Sequence, residues 1–244
     1  MKIVLFDIDG TLVRGDGQGR RALSLAFADV FGVQSATEVA GGVDFNGALD
    51  PTIMREIALR LGIDARSFDA AHRDLVASYR LQLEAVLIEE GPPRVLPGVR
   101  RLLSRLEAAP GLVTGLLTGN IEAGARSKLR PVDLDRFFPA GAFGEDGPTR
   151  EEVARVAWHR LERQAGCPVS AGSVWVVGDS VRDIECGRAN GMGTLAVATG
   201  WTSAAVLRRA GPLALVDDLA ATDHVWKILH RRPDECSDPE PCGE

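Results

Sequence analysis

Short, continuously apolar runs that alternate with amphipathic helical patterns are the feature that most limits the fold of this chain. The runs are KIVLF (2–6), LVTGLL (112–117), VWVV (174–177) and TLAVA (194–198), with weaker ones at FFPAGAF (137–143) and LALV (213–216). A run that is apolar at every position is typical of a strand buried on both faces of a parallel sheet. Helical patterns lie between these runs, at residues 98–108, 121–130, 150–164 and 181–190. The alternation predicts an α/β fold of right-handed βαβ units, with helices on both faces of the sheet.

Residues 15–92 follow a different pattern, because their apolar residues keep helical spacing throughout and no strand-like run interrupts them. Glycines at 15–19 and the Gly-Pro-rich stretch at 91–97 mark the two ends of this segment. We therefore predict an inserted all-helical domain at 15–92 and a core domain formed by residues 1–14 and 93–231. An insertion after the first strand lies over the carboxyl ends of the strands, where open α/β sheets bind ligands, so we expect it to act as a lid.

The composition excludes two classes of partner. The chain of 244 residues has a formal net charge of −6 and only 5% aromatic residues, whereas a nucleic-acid binder needs a basic surface with stacking aromatic rings. No stretch approaches the roughly 18 apolar residues of a membrane-spanning helix, and the N-terminus lacks the pattern of a secretion signal. We expect a cytoplasmic protein with no nucleic-acid or membrane partner, either a monomer or a homodimer.

The end of the chain, residues 232–244, is rich in proline, serine and acidic residues, which predicts a disordered acidic tail. It contains Cys236 and Cys242, which could pair or bind a metal together with the acids. A chain of this size does not need a disulfide framework, and all four cysteines are expected to be free thiols.

Polar residues gather where the predicted strands end and the following helices begin. They are Asp7, Asp9, Thr118, Gly119, Asn120, Arg150, Asp179 and Asp183. Each of them alone is compatible with an ordinary turn or a helix cap. Because the carboxyl ends of parallel strands meet at one edge of the sheet, we expect them to form one site.

The stretches that contain these residues resemble a known family. FDIDGTL (6–12), LLTGN (116–120) and VVGDSVRDIECGRANG (176–191) are similar to three motifs of the haloacid dehalogenase superfamily, and the resemblance covers most of the chain. GNIEAGARSKL (119–129) and GWTS (200–203) are similar to its phosphoglycolate phosphatase-like members, which carry a helical cap after the first motif. The resemblance implies a three-layer Rossmann-like core with a mobile cap, and a Mg²⁺-dependent phosphatase that acts on a small phosphorylated metabolite.

The first motif carries the expected chemistry. A carboxylate can attack phosphorus and form an aspartyl-phosphate, which divides one difficult hydrolysis into two easier steps. On the resemblance, Asp7 is the nucleophile, and Asp9 is the general acid and base. The approach of two anions requires a cation, and oxygen ligands favour Mg²⁺. We expect its ligands to be the Asp7 side chain, the Asp9 carbonyl and Asp179, with Asp183 binding through water or orienting another group; alternatively, Asp183 only favours the dipole of its helix.

Two groups are expected to hold the phosphoryl oxygens. The first is the Thr118 hydroxyl together with the N–H groups of Gly119 and Asn120, although Thr118 could also cap the helix at 121–130. The second is a positive charge, which the superfamily takes from a Lys or Arg between its second and fourth motifs. The usual Lys-Pro pair is missing, so we expect Arg150 to supply it; the alternative is Lys128, whose position suits a solvated helix face.

Several reactions are known on this fold, so the fold alone does not name the activity. The acid at position 9 argues against dehalogenation, and the lack of any lysine in 15–92 argues against phosphonate cleavage through a Schiff base. A sugar phosphomutase and a non-catalytic binding module remain as alternatives.

Where related caps often carry Gly-Arg-Thr-Asp, this chain has GALD (47–50), without the arginine that could bind a substrate carboxylate. The expected substrate-binding cap residues are Asn46 and Asp50, although Asp50 could merely cap the helix that begins at Pro51.

Overall fold

The computed structural model describes residues 1–233. The predicted tail lies outside this range from residue 234 onward, and so do its two cysteines. Within the described range, no helix combines the length and the apolar character that crossing a bilayer requires.

Eight strands and ten α-helices are the main elements of the described part of the chain. The strands are β1 (Lys2–Phe6), β2 (Val13–Arg14), β3 (Arg94–Val95), β4 (Leu112–Leu117), β5 (Gly141–Ala142), β6 (Val174–Gly178), β7 (Gly193–Val197) and β8 (Ala214–Val216). The helices are α1 (Gln18–Phe31), α2 (Ala36–Ala40), α3 (Asp50–Arg60), α4 (Ala65–Glu90), α5 (Val99–Glu107), α6 (Glu122–Leu129), α7 (Arg150–Ala165), α8 (Val181–Ala189), α9 (Ala204–Ala210) and α10 (Thr222–His230).

Six strands form one parallel sheet in the order β5-β4-β1-β6-β7-β8. The first strand lies at its centre, and its apolar residues alternate between the two faces. Val4 and Phe6 belong to the cluster packed with α5, α6 and α10, while Ile3 and Leu5 belong to the cluster packed with α7. All four side chains are fully buried, which is why every residue from Ile3 to Phe6 is apolar. The predicted α/β fold with a parallel sheet is confirmed.

The central position of β1 determines where the polar residues meet. Its neighbours in the sheet are β4 and β6, so the loops that follow these three strands lie side by side at one edge. The order of strands along the chain reverses direction here, since β4 lies on one side of β1 and β6 on the other. Open α/β sheets form their ligand crevice at such a point.

The helices α1 to α4 lie between β2 and β3 and have a hydrophobic cluster of their own. Its members include Phe27, Met54, Phe68 and Leu75, and Ile121 from the loop after β4 also packs there. We call residues 15–92 the helical insertion. Its two ends leave the sheet side by side, because β2 pairs with β3 in an antiparallel ladder and Gln18 Nε2 donates to the Gly91 carbonyl at 2.7 Å.

One weak strand prediction differs from the structure. At 137–143 only Gly141–Ala142 pairs with the sheet, and a 3₁₀ turn covers Asp135–Phe137. Pro139 cannot donate to a ladder, and Phe137 and Phe138 are buried in the cluster beside α5 and α6 instead of alternating as strand residues would.

Candidate active site

The loop after β1 forms a tight turn against the loop after β6. The N–H groups of Leu12 and Val13 both donate to the Ile8 carbonyl, and Gly10 has a left-handed backbone with φ of 86°. A Cβ at Gly10 would lie 2.5 Å from Asp179 Oδ2, so both the conformation and the available space require glycine there. A Cβ at Gly200 would overlap the same oxygen. The turn therefore brings the backbone directly against the Asp179 carboxylate.

Three buried carboxylates converge at this edge. Asp7, Asp179 and Asp183 each offer an oxygen atom within 4.8 Å of the others. Burial, together with the neighbouring acids, raises the pKa of Asp7 to about 7 although Arg150 lowers it, and the same causes raise the pKa of Asp179 well above its usual range. When all three acids are ionised, the cluster carries more negative charge than the buried Arg150 beside it neutralises.

The acid cluster fits a bound divalent cation. Asp179 Oδ1 accepts from the Thr11 hydroxyl at 3.2 Å, while its Oδ2 is buried with no hydrogen-bond partner. A buried oxygen without a donor is costly unless something else satisfies it. An all-oxygen set of carboxylates suits a hard cation such as Mg²⁺. The residues present therefore match the expected cofactor in donor type and in charge.

Asp183 differs from the other two acids because both of its oxygens have protein partners. Its Oδ2 accepts from the backbone N–H and the hydroxyl of Ser180, at 3.0 and 2.6 Å, which forms a capping box at the start of α8. Its Oδ1 accepts from Arg150. Its position fits two of the roles considered for it: Asp183 stabilises the first turn of its helix, and it orients the Arg150 guanidinium.

Arg150 is the first residue of α7, and its side chain reaches back into the acid cluster. It is buried, and its Nη2 contacts Asp183 and lies 3.1 Å from Asp7 Oδ1. Its Nη1 donates to the Gly47 carbonyl of the helical insertion at 3.1 Å. The two carboxylates raise the pKa of the guanidinium, which stays charged. Arg150 thus links the expected nucleophile to the insertion.

The placement of Lys128 on a solvated face is wrong. Only 8% of the residue is exposed, and its Nζ lies 2.6 Å from Asp9 Oδ2 and 2.6 Å from Asn120 Oδ1. The buried side of α6 contains Gly124, Ala125 and Leu129 together with Lys128, so the helical period places the lysine on the inner face. The spacing of these residues in the sequence was therefore a signal that Lys128 is buried. The site contains two buried cations, Arg150 beside Asp7 and Lys128 beside Asp9.

The loop after β4 organises the polar groups around Asp9. Asn120 Nδ2 donates to Asp9 Oδ2 and to the Thr118 hydroxyl, both at 2.8 Å. Thr118 does not cap the following helix: the residue that precedes α6 is Ile121, and the Thr118 hydroxyl accepts from the Asn120 N–H at 3.3 Å. A Cβ on Gly119 would overlap the Ala48 carbonyl, so glycine there allows the insertion to approach closely.

Loop 44–50 of the insertion closes onto the core through several polar contacts, including those of Asn46 and Asp50. Asn46 Nδ2 donates to the Thr202 hydroxyl at 2.8 Å. Asp50 Oδ2 accepts from the Ile121 N–H at 3.0 Å, and the Asp50 N–H donates to the Gly119 carbonyl at 2.7 Å. Asp50 therefore does not cap its own helix, but caps α6 of the core. Burial raises the pKa of Asp50 to about 6, although Lys128 lowers it.

This raised pKa makes the contact between insertion and core sensitive to pH. Asp50 ordinarily ionises near 3.8, so between about pH 4 and pH 6 the unfolded chain loses a proton that the folded chain keeps, and stability falls as pH rises. In Asp50→Asn the amide oxygen still accepts the Ile121 N–H, but nothing titrates. We expect the free energy of unfolding of the wild type, relative to Asp50→Asn, to fall by at most about 3 kcal/mol between about pH 4 and pH 7. Urea unfolding of both proteins across this range measures it, and a constant difference would contradict it.

A cavity of about 550 Å³ lies between the core edge and the insertion. Asp7, Asp9 and Thr118 line it from the core, and Asn46 and Asp50 line it from the insertion. Gly119, Asn120 and Arg150 line the same cavity, whereas Asp179 and Asp183 of the acid cluster are not among its lining residues.

Comparison with known proteins places this arrangement in a family. Residues 1–191 match the haloacid dehalogenase-like hydrolase family. The chain belongs to that family. The expectation of an enzyme on a haloacid dehalogenase-type fold is therefore confirmed, and the chain is a hydrolase.

Relatives of this haloacid dehalogenase-like hydrolase agree with the assignment. The chain is 28% identical over 224 residues to a protein of Pseudomonas syringae pv. syringae named phosphoglycolate phosphatase, covering 89% of this chain and 77% of that protein. A solved structure described as a predicted phosphatase from Clostridium acetobutylicum superposes with a TM-score of 0.67 at 21% identity, covering 94% and 99% of the two chains. A putative beta-phosphoglucomutase from Thermotoga maritima gives 0.62 at 21% identity, covering 94% and 100%. At these identities the two structures establish the shared fold alone.

Proposed function

We propose that this hydrolase is a Mg²⁺-dependent phosphatase that cleaves a small phosphate monoester through an aspartyl-phosphate on Asp7. One observation carries the proposal: Asp7 and Asp9 follow the central strand, face one cavity, and each contacts a buried cation. The relatives named phosphoglycolate phosphatase support a small phosphorylated substrate.

In the first step the Asp7 carboxylate attacks phosphorus. Arg150 contacts its Oδ1, and the Asp7 N–H donates to the Val177 carbonyl at 2.9 Å, which fixes the residue at the strand end. The neighbouring acid, Asp9, gives a proton to the leaving oxygen and later takes one from the attacking water. Lys128 and Asn120 hold its carboxylate in place for both steps.

The phosphoryl oxygens need donors and positive charge. The Thr118 hydroxyl and the Gly119 and Asn120 N–H groups are the donors of this proposal, placed after β4 and beside the first helical turn of α6. Both Arg150 and Lys128 are buried cations of the same cavity, so each is assigned a share of the charge balance.

The cofactor of this proposal is Mg²⁺, held by the side chains of Asp7 and Asp179 and by the Asp9 carbonyl, with Asp183 beside them. When bound, it supplies positive charge that offsets the repulsion between carboxylate and phosphate. The insertion covers the site through Asn46 and Asp50, which we propose as substrate-binding residues, and it excludes bulk water during the reaction.

The alternatives have weaker support. A sugar phosphomutase rests on a likeness of fold alone, since the Thermotoga structure is 21% identical. A non-catalytic binding module needs none of the reacting groups, whereas Asp7, Asp9 and Asp179 are all present. Incubation with a sugar phosphate, followed by NMR, separates the two activities. A mutase converts the sugar phosphate into its isomer, whereas a phosphatase releases inorganic phosphate.

We expect turnover of p-nitrophenyl phosphate to require Mg²⁺. EDTA should abolish it, and added Mg²⁺ should restore it. Asp179→Asn should raise the Mg²⁺ concentration for half-maximal rate by at least about tenfold, since loss of a ligand exceeds the 10–100-fold cost of losing an outer partner. Asp223→Asn on α10 is the control, because this exposed acid pairs with Arg105 outside the site. Turnover that is insensitive to EDTA would contradict the proposal.

A further inference from the structure

Two arginines of the cavity wall, Arg14 on β2 and Arg20 on α1, have no role in the proposed chemistry. Within residues 1–233, no carboxylate lies at ion-pair distance from either guanidinium. Arg20 lowers the pKa of Glu38 without contacting it, and Glu38 is bonded to Ser24. Two further acids, Asp16 and Asp44, line the cavity, and Asp44 pairs with Arg182. The two arginines thus bring positive charge to the cavity that no contacting acid neutralises.

Each guanidinium is held over an aromatic ring. Arg14 lies 5.5 Å from the ring centre of Trp201, and its Nη1 donates to the Thr199 carbonyl at 3.2 Å. Arg20 lies 4.4 Å from the ring centre of Phe45. Stacking on a ring occupies the face of a guanidinium and leaves its N–H edge available for an anion. It also restricts the side chain beforehand, which lowers the entropy cost of binding.

The cationic side chains of the cavity are divided between two places. Arg150 and Lys128 contact Asp7 and Asp9, where the reacting phosphoryl group belongs. Arg14 lies on β2 and is hydrogen-bonded to the Thr199 carbonyl, and Arg20 lies on α1 of the insertion. A cavity of about 550 Å³ is in the range that holds whole small molecules, and so has room for a leaving group beyond the phosphoryl site.

We infer that the leaving group of the substrate carries a second anionic group, a carboxylate or a further phosphate, which Arg14 and Arg20 bind. This inference rests on the proposed phosphatase function and deepens it. It also addresses the missing arginine of GALD (47–50): the positive charge comes from β2 and α1 instead of from the loop before α3. Trp201 and Phe45 act as positioning residues for the two guanidiniums.

The test compares esters that differ only in the second charge. Phosphoglycerate and glycerol phosphate differ by a carboxylate, and fructose bisphosphate and fructose phosphate differ by a phosphate, so the two pairs distinguish the two anions. For the preferred pair, we expect the wild-type kcat/KM to favour the charged ester by at least about tenfold. Arg14→Gln and Arg20→Gln should each lower kcat/KM for that ester by about tenfold, through KM, and leave kcat/KM for the ester without the second anion within about twofold.

Matched variants exclude a merely structural effect. Arg55→Gln is the control, because Arg55 also stacks on a ring, Phe68, but pairs with Asp69 outside the cavity. Arg14→Lys and Arg20→Lys keep the charge and should retain part of the preference. Two results would overturn the inference: equal losses of kcat/KM on esters with and without the second anion, or a wild type that shows no preference in either pair.

Failure of the proposed function gives a different result. In that case no ester is hydrolysed with Mg²⁺ present, and ligand-induced thermal shifts then decide the inference. Phosphoglycerate or fructose bisphosphate must raise Tm more than the matching ester without the second anion does, and Arg14→Gln and Arg20→Gln must remove that difference. Equal shifts of Tm for esters with and without the second anion would overturn the inference.

Discussion

Replacement of Asp7 by asparagine is expected to lower kcat by at least about a thousandfold, because an amide cannot take the place of the carboxylate nucleophile. The substitution keeps the shape of the side chain, and the backbone bond to Val177 does not involve it. Burial among other acids already raises the pKa of Asp7, so removing this charge relieves repulsion inside the cluster. We therefore expect the free energy of unfolding to stay unchanged or to rise while activity disappears.

Two measurements separate this result from loss of structure. Urea unfolding should show that Asp7→Asn is at least as stable as the wild type. Rapid quenching of the wild type during turnover, followed by peptide mass spectrometry, should find a phosphoryl group on Asp7, and the variant should show none. Activity in Asp7→Asn above about a tenth of the wild-type level would rule out Asp7 as the nucleophile.

The part of the site that follows the sheet strands was predictable from sequence. The run from Ile3 to Phe6 is apolar at every position because β1 is covered on both faces, and that fact alone places Asp7 at the edge of the sheet. Neighbouring parallel strands then bring Thr118 and Asp179 to the same edge, whatever the helices do. Local patterns suffice here, because the strand periodicity and the sheet topology leave few other arrangements.

The groups that depend on packing between elements were not predictable in the same way. Lys128 reads as a surface residue by charge, and only its place on the inner face of α6 shows that it meets Asp9. Asp50 reads as a helix cap, but its partner, the Ile121 N–H, lies 71 residues further along the chain. The Asp50 pairing depends on how the insertion rests on the core. No local pattern encodes that geometry, because both hydrogen-bonding groups are satisfied by turns in other contexts.

The contacts of Asp9 lead to a second large effect, on proton transfer. Its Oδ2 accepts from Lys128 and from Asn120, and in Asp9→Asn the amide oxygen can accept from both donors in the same position. The loop and the nucleophile should therefore keep their places, while the group at position 9 can no longer give or take a proton. We expect the steady-state rate to fall by about 100- to 10,000-fold, the usual contribution of a general acid or base.

The two chemical steps should respond differently to Asp9→Asn, and this distinguishes an acid/base role from a structural one. Nitrophenolate leaves without a proton, so transfer to Asp7 should remain fast with p-nitrophenyl phosphate, and stopped-flow absorbance should show a burst of about one product per enzyme before slow turnover. An alkyl phosphate needs the proton in the first step, so it should show no burst. Lys128→Met, which leaves the Asp9 carboxylate in place but removes its cation, serves as the comparison. If Asp9→Asn keeps the wild-type rate with the alkyl ester, Asp9 moves no proton; if it is slow with p-nitrophenyl phosphate without a burst, the residue acts on the attack itself.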